Sequence, residues 1–213
     1  MNNTSEYYQA NRKEVATFLP DNYTKVLEIG CADGGFKNNL SSPCEYWGVE
    51  PVSEIATLAI EKLDKVLVGI YDDVLNDLPD NYFDLVICND VIEHMVDHDA
   101  FYTSIKQKVV SGGSLVGSLP NVRFLPNLYE LLRWKDWEYK DEGILDRTHL
   151  RFFTEKSIKR NFENHAFEIE KFSGINGRKY TWKNKSGIVM NLLKIVLGSD
   201  TEFLQFGFRV KLP

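Results

Sequence analysis

Two groups of residues in this chain have types and spacings that could do chemistry. The first is Val26-Leu27-Glu28-Ile29-Gly30-Cys31-Ala32-Asp33-Gly34-Gly35, an apolar run entering a glycine-rich turn with a carboxylate two residues before the first glycine. Glycine tolerates positive φ and lets the backbone approach a ligand closely. The N–H groups that open the following helix can then face that ligand. Glu50 ends the next apolar segment, Tyr46-Trp47-Gly48-Val49-Glu50, where an acid is placed to take both hydroxyls of a ribose. These features describe a nucleoside-cofactor site. Gly30, Ala32 and Gly35 nearly supply a dinucleotide pattern, yet Glu28 would repel a pyrophosphate. An acid there suits the ammonium and sulfonium of S-adenosylmethionine instead.

The second group is acid–base in character: His94, His149 and Asp146, with Glu93 behind them. His94 follows an apolar strand at a helix start. His149 lies in Asp146-Arg147-Thr148-His149-Leu150-Arg151, where a carboxylate could orient an imidazole. Each histidine also has a plainer reading. His94 could be structural, bonded to a nearby backbone carbonyl, and His149 could belong to a network that docks its loop.

Glu28-Ile29-Gly30-Cys31-Ala32-Asp33-Gly34 resembles motif I of the class I S-adenosylmethionine-dependent methyltransferases. Phe83-Asp84-Leu85-Val86-Ile87-Cys88-Asn89-Asp90-Val91-Ile92-Glu93-His94 is similar to that superfamily's fourth strand and the turn after it. Gly143-Ile144-Leu145-Asp146-Arg147-Thr148-His149-Leu150-Arg151-Phe152-Phe153-Thr154 resembles a branch of small methyltransferases common in bacterial surface-polysaccharide and other biosynthetic gene clusters. The likeness spans about Val26 to Phe172.

The resemblance implies roles residue by residue. Glu28 would orient the turn and balance the methionine ammonium, Gly30 and Cys31 would line the methionine portion, and Gly34 would complete the turn. Glu50 would bind the ribose, Pro51 and Val52 would pack beside the adenine, and Asn89 and Val91 would face the sulfonium. S-adenosylhomocysteine would be the product. One position departs from the family, because the acid that meets the adenine amino group falls on Ile70. Asp72 or Asp73 could substitute, Asp72 being preferred, although aspartates also occupy solvated turns.

The sulfonium already activates the methyl group, so the protein must mainly align an acceptor, an effect on the order of 7–11 kcal/mol. A hydroxyl acceptor also benefits from a general base. Asp90, Glu93, His94 and His98 have the helical spacing of a divalent-metal site. The short Asp90 and a break at Val96-Asp97 argue against it, so no metal is expected. Phe124, Tyr129, Trp134, Trp137 and Tyr139, interleaved with Arg123, Arg133 and Lys135, suit a sugar, a nucleotide-sugar or a flat phenol. With Leu128, Leu131 and Leu132 they also read as an amphipathic cover helix. Arg123 and Arg147 are reserved for an anionic acceptor group.

The elements that must position these residues alternate, as in a parallel sheet. Strands are predicted at Lys25–Ile29, Tyr46–Glu50, Lys65–Gly69, Phe83–Asn89, Gly113–Ser118, Glu168–Phe172 and Phe203–Val210. Helices fit at Gly35–Leu40, Ser53–Leu63, His98–Val109 and Glu155–Asn164, with Ser53 and Thr154 as N-caps and Gly112-Gly113 closing the third of these. The expected fold is α/β, a seven-stranded, mostly parallel, doubly wound sheet with an antiparallel last strand: the Rossmann-like methyltransferase fold. Residues 1–213 read as one domain. Residues 1–24 would carry an N-terminal helix, Ser5 to Leu19, acting as a lid, and residues 119–150 and 173–201 would build the acceptor side.

Composition narrows the partners. The 25 basic and 31 acidic residues give a net charge of −6, which argues against nucleic acid as the main partner. Three cysteines without metal spacing read as reduced thiols. The polar N-terminus lacks a signal core, and the apolar stretch from Ile188 to Leu197 is too short to span a bilayer and has too little positive charge to favour a membrane-surface role. A cytoplasmic enzyme acting on a small-molecule or sugar acceptor is expected, O-methylation ahead of N-methylation. The alternatives are a methyltransferase of tRNA or protein, a non-catalytic cofactor-binding protein, and an NAD enzyme.

Overall fold

A computed structural model describes residues 12–213. Seven strands, β1 (Lys25–Ile29), β2 (Glu45–Glu50), β3 (Lys65–Val68), β4 (Phe83–Asn89), β5 (Val109–Pro120), β6 (Glu168–Gly177) and β7 (Phe203–Lys211), form one sheet in the order β3-β2-β1-β4-β5-β7-β6. The pairings among β1 to β5 are parallel. β7 is antiparallel to both β5 and β6, so β6 runs with the parallel set and the last strand alone is reversed. This is the Rossmann-like methyltransferase architecture.

The helices are α1 (Lys13–Ala16), α2 (Ser53–Ile60), α3 (Tyr71–Val74), α4 (His98–Lys108), α5 (Leu125–Trp134), α6 (Glu155–Asn164) and α7 (Lys185–Leu197). Central strands read as unbroken apolar runs because both faces are covered. Leu27, Ile29, Val86 and Cys88 join one core with Phe101, Ile105, Ile158 and Phe162 of α4 and α6. Val26, Leu85, Ile87 and Val116 join the other with Val15, Phe18 and Ala59.

Several local expectations change. Gly35–Asn39 is a 3-10 turn, not an α-helix. Ser53 is the first residue of α2 and Val52 its cap, with no side-chain bond, because the helix is started by the backbone beside Glu50. Thr154 does cap α6, in a reciprocal capping box with Ser157. Gly112-Gly113 does not end a helix: α4 stops at Lys108, and the glycines lie inside β5, where the register with β4 shifts. Gly112 takes φ +77°, and a Cβ on Gly113 would meet Val109 Cγ1 at 2.4 Å. Of the N-terminal helix expected over Ser5–Leu19, only Lys13–Ala16 is helical among the described residues; the rest, up to residue 11, lies outside them.

Candidate active site

The strand order reverses between β1 and β4, and in open α/β sheets that switch point opens the ligand crevice beyond the carboxyl ends of the strands. Gly30 leaves β1 with φ +72°, and a Cβ on it would lie 2.6 Å from Val91 Cγ2 in the turn after β4. Only glycine fits there. Glu50, at the end of β2, stitches two turns together: Ala32 N–H donates to Oε2 and Val52 N–H to Oε1, both at 3.0 Å. Burial pushes its pKa up against those two bonds, and each oxygen keeps a lone pair for a ligand hydroxyl. Asn89 ends β4, and its Oδ1 is buried with no hydrogen-bond partner among the described residues. Such an orphaned acceptor is rare and suits a cationic amino group. The glycine cradle, the acid and the orphaned amide oxygen fit S-adenosylmethionine.

The remaining predicted cofactor residues fall as follows. Glu28 is buried, and its Oε2 accepts from Tyr46 Oη at 2.8 Å. Burial lifts its pKa from 4.5 to about 8, so at neutral pH it is mostly a neutral carboxyl held by Tyr46. The charge contrast between a pyrophosphate and a sulfonium is therefore weaker than the sequence suggested. Cys31 is buried against Gly48, and burial raises its thiol pKa, as it does for Cys88; both are packing groups, not nucleophiles. Gly34 adopts φ +75°, and Asp33 Oδ1 accepts from Gly35 N–H at 3.0 Å. Pro51 and Val52 are exposed beside Glu50. Ile70, Asp72 and Asp73 are exposed at the start of α3, beyond β3.

The acid–base residues converge. Leu150 N–H and Arg151 N–H donate to the Glu93 carbonyl at 2.9 and 3.1 Å, docking the 143–154 block on the turn after β4. His94 and His149 then meet edge to face, ring centroids 4.7 Å apart. His94 Nδ1 lies 3.2 Å from Thr148 O and 3.1 Å from Thr148 Oγ1, which places its proton on Nδ1 and leaves Nε2 with the lone pair. Thr148 Oγ1 donates to Asp146 Oδ1 at 2.6 Å. Asp146 thus orients His94 through Thr148, not His149 as the sequence suggested; Thr148 N–H occupies the same Oδ1 at 2.7 Å. His149 is held instead by Ile144 O, 3.0 Å from Nδ1. Burial and the neighbouring His149 lower the His94 pKa, keeping it neutral and able to accept a proton.

Thr148 carried no chemical signal of its own, although Asp-x-Thr is the pattern of a side chain closing a turn on its own backbone. A second cluster was not legible at all. Asp90 takes φ +53°, and its carboxylate accepts from Ser118 Oγ at 2.7 Å, from Gln205 Nε2 and from the Arg12 guanidinium. The described part of the N-terminal segment is thereby tied to the carboxyl ends of β4 and β5.

This diverts Asp90 from the helical quartet considered above, and His98 faces Asn161 and Asp99. The set that does come together is Glu93, His94 and His149, whose donor atoms lie within 4.8 Å of one another. Both Glu93 carboxyl oxygens are buried with no hydrogen-bond partner among the described residues, His149 Nε2 lying 3.9 Å from Oε1. Desolvation, with the charge of Asp90, drives its pKa well up. A divalent cation could be held there.

Within residues 119–150, expected to build the acceptor side, a cleft of about 240 Å³ is lined by Glu130, Trp134, Asp136, Glu138, Lys140 and Leu145 among others, none of them from 173–201. Trp137 packs edge-on against Phe152 at 5.1 Å, which makes it a support for the 143–154 block. Arg123 is not available to an acceptor: Nε donates to Asp200 Oδ2 at 2.6 Å and the guanidinium also meets Leu197 O. Arg147 pairs with Asp141 at 2.7 Å on the surface.

The profile of the family described as "Methyltransferase domain" matches residues 3–171. No curated protein matches the chain significantly. Among solved structures, a SAM-dependent methyltransferase from Archaeoglobus fulgidus is similar at 19% identity and TM-score 0.68, over 98% of this chain and 94% of that one. One from Aquifex aeolicus aligns at 13% identity and TM-score 0.61, over 100% and 95%. Phosphoethanolamine N-methyltransferase 2 of Haemonchus contortus, solved with S-adenosyl-L-methionine, aligns at 16% identity and TM-score 0.60, over 95% of this chain and 52% of its own.

Proposed function

The chain belongs to the methyltransferase-domain family and is an S-adenosylmethionine-dependent methyltransferase, and from that premise we propose that it methylates an oxygen of a small-molecule or carbohydrate acceptor. The observation that carries this reading is the Asp146–Thr148–His94 relay. An imidazole kept neutral, with its proton fixed on Nδ1, is a proton acceptor, and a hydroxyl acceptor needs one.

Bound S-adenosylmethionine supplies an electrophilic methyl group. Asn89 Oδ1 and the Gly30 turn would hold its amino-acid end, Glu50 the ribose, and Pro51, Val52 and Asp72 the adenine side. Glu28 supports the turn through Tyr46. His94 Nε2 would take the hydroxyl proton as the acceptor oxygen gains the methyl group and the methyl–sulfur bond breaks, the neutral thioether leaving as S-adenosylhomocysteine, and Asp146, through Thr148, would stabilise the resulting imidazolium. His149 and the buried Glu93 keep the His94 ring in place. Trp134 supports a sugar-like acceptor: Arg133 lies over one face of its exposed indole, 4.5 Å from the ring centre, and the other face can carry a sugar ring while Asp136 and Glu138 take hydroxyls. The free thiols of Cys31, Cys44 and Cys88 support a cytoplasmic enzyme, and the resemblance of the 143–154 block supports a bacterial one.

A second reading rests on the buried Glu93 carboxyl, which has no hydrogen-bond partner among the described residues. There, Glu93, His94 and His149 would hold a divalent cation, which would acidify the acceptor hydroxyl. The test of the main reading is methyl transfer from labelled S-adenosylmethionine to a panel of nucleotide-sugars and free sugars, with tRNA and protein as parallel acceptors. An O-methyl sugar supports it; labelled tRNA or protein instead would displace it.

A further inference from the structure

Helix α7 turns its apolar side to solvent. Ile188, Val189, Leu192, Ile195 and Val196 stand at i, i+1, i+4, i+7 and i+8 and share one face. That face is the exposed one, with Ile195 70% and Val196 80% exposed. The polar residues go inward: Asn191 is buried with Nδ2 donating to Tyr180 O at 3.1 Å, and Lys194 pairs with Glu202. Both ends are pinned. Asn184 caps the start by accepting from Gly187 N–H at 2.7 Å, and Arg123 meets Leu197 O at the end. The helix is therefore not placed to roll its stripe inward, and the exposed Trp182 extends the apolar surface. A contiguous patch of this kind marks an interaction site.

Charge selects the partner once the loop ahead of α7 is counted with the stripe, which by itself has too little positive charge for a membrane surface. Residues 171–199 carry six of the chain's 25 Lys and Arg and none of its 31 acids, in a protein of net charge −6. Arg178, Lys179, Lys183 and Lys185 are exposed just ahead of the stripe. The acids nearest by are already engaged: Asp200 by Arg123, Glu202 by Lys194, and Glu130, on the neighbouring α5, by Lys140. We propose that α7 and the basic loop before it dock on the surface of an anionic lipid bilayer. The aliphatic stripe would enter the boundary between headgroups and acyl chains, Trp182 would sit at the interface, and the loop cations would meet lipid phosphates. At 13 residues α7 lies on a membrane and does not cross it. A second copy of the chain is disfavoured because two identical basic rims repel. Nucleic acid is disfavoured because the stripe is aliphatic and, Trp182 apart, offers successive bases no ring to stack on.

The test is flotation of the purified protein with phosphatidylcholine vesicles, with and without phosphatidylglycerol. Binding is expected only with phosphatidylglycerol and should fall as salt rises. Ile195→Glu/Val196→Glu changes two exposed side chains; it should keep the parent's thermal midpoint and S-adenosylmethionine affinity while weakening vesicle binding at least about tenfold. Lys183→Gln/Lys185→Gln should blunt the dependence on phosphatidylglycerol. No flotation on either vesicle, or equal flotation of parent and Ile195→Glu/Val196→Glu, overturns the proposal. So does a parent dimer that this double variant dissociates, or tRNA binding by the loop that outcompetes the vesicles. The assay contains no methyl donor or acceptor, so its failure would leave the methyltransferase reading untouched.

Discussion

His94 and His149 meet edge to face with ring centroids 4.7 Å apart, and each has Nδ1 fixed by a backbone carbonyl, that of Thr148 for His94 and that of Ile144 for His149. The neutral form of each imidazole is thus held in one tautomer, with the lone pair on Nε2. They differ in what surrounds that nitrogen. His149 Nε2 looks toward buried Glu93 at 3.9 Å, whereas His94 is tied to Asp146 through a hydroxyl. This asymmetry supports the proposal that His94 is the proton acceptor and His149 its support.

His94→Gln should lower kcat by about 10²–10³, within the usual range for losing a general base, and leave the Kd for S-adenosylmethionine within about twofold. Thr148→Val should lower kcat about tenfold with KM unchanged, and Thr148→Ser should restore it. Steady-state kinetics with calorimetry distinguishes these outcomes; a Thr148→Val enzyme with full turnover would remove the relay.

Gly30→Ala should weaken S-adenosylmethionine binding more than about tenfold, since the added methyl must displace Val91 and hold a positive φ. The same substitution at exposed Gly143, which also has positive φ but nothing within 4 Å of a Cβ, should leave that affinity unchanged. Calorimetry on both variants checks the contrast.

Dialysis against a chelator should leave turnover unchanged if His94 acts as a base alone. Turnover that is lost and then restored by manganese or magnesium would transfer the role to a cation on Glu93, His94 and His149.

Glu28 makes stability depend on pH. Its carboxyl keeps its proton up to about pH 8 in the folded chain, against 4.5 ordinarily. The unfolded chain therefore binds fewer protons between those values. This contribution is complete below about pH 4.5 and fades as pH rises through 8, by on the order of a few kcal/mol. Urea denaturation from about pH 5 to about pH 9 should show that decline, and Glu28→Gln should flatten it whatever its absolute stability. An equal slope in both proteins would contradict the assignment.

Much of the scaffold was readable because period and punctuation survive in one dimension. The apolar runs of β1, β2 and β4 mark strands covered on both sides, and Gly30 and Glu50 sit where such strands end. The relay was harder to read. Asp146, Thr148 and His149 are near neighbours, and nothing local says that the threonine would serve His94 from another segment. Asp90 misled because the i, i+3, i+4 spacing assumes a continuous helix. Its left-handed φ precedes a 3-10 turn at Ile92–His94, which frees its carboxylate for Arg12, Ser118 and Gln205. Three lone polar residues from distant segments leave no pattern to find. Arg123 was misassigned for a related reason: its partner Asp200 closes the turn after α7, 77 positions away.

The central claim is that the carboxyl ends of β1, β2 and β4 hold S-adenosylmethionine through Gly30, Glu50 and Asn89. Parallel calorimetric titration of the parent with S-adenosylmethionine, S-adenosylhomocysteine and NAD, repeated on Glu50→Ala, tests it most directly. Micromolar binding of both adenosyl ligands, no response to NAD, and loss of binding in Glu50→Ala is the predicted result. Binding of NAD alone, or full affinity for S-adenosylmethionine without the Glu50 carboxylate, would contradict it.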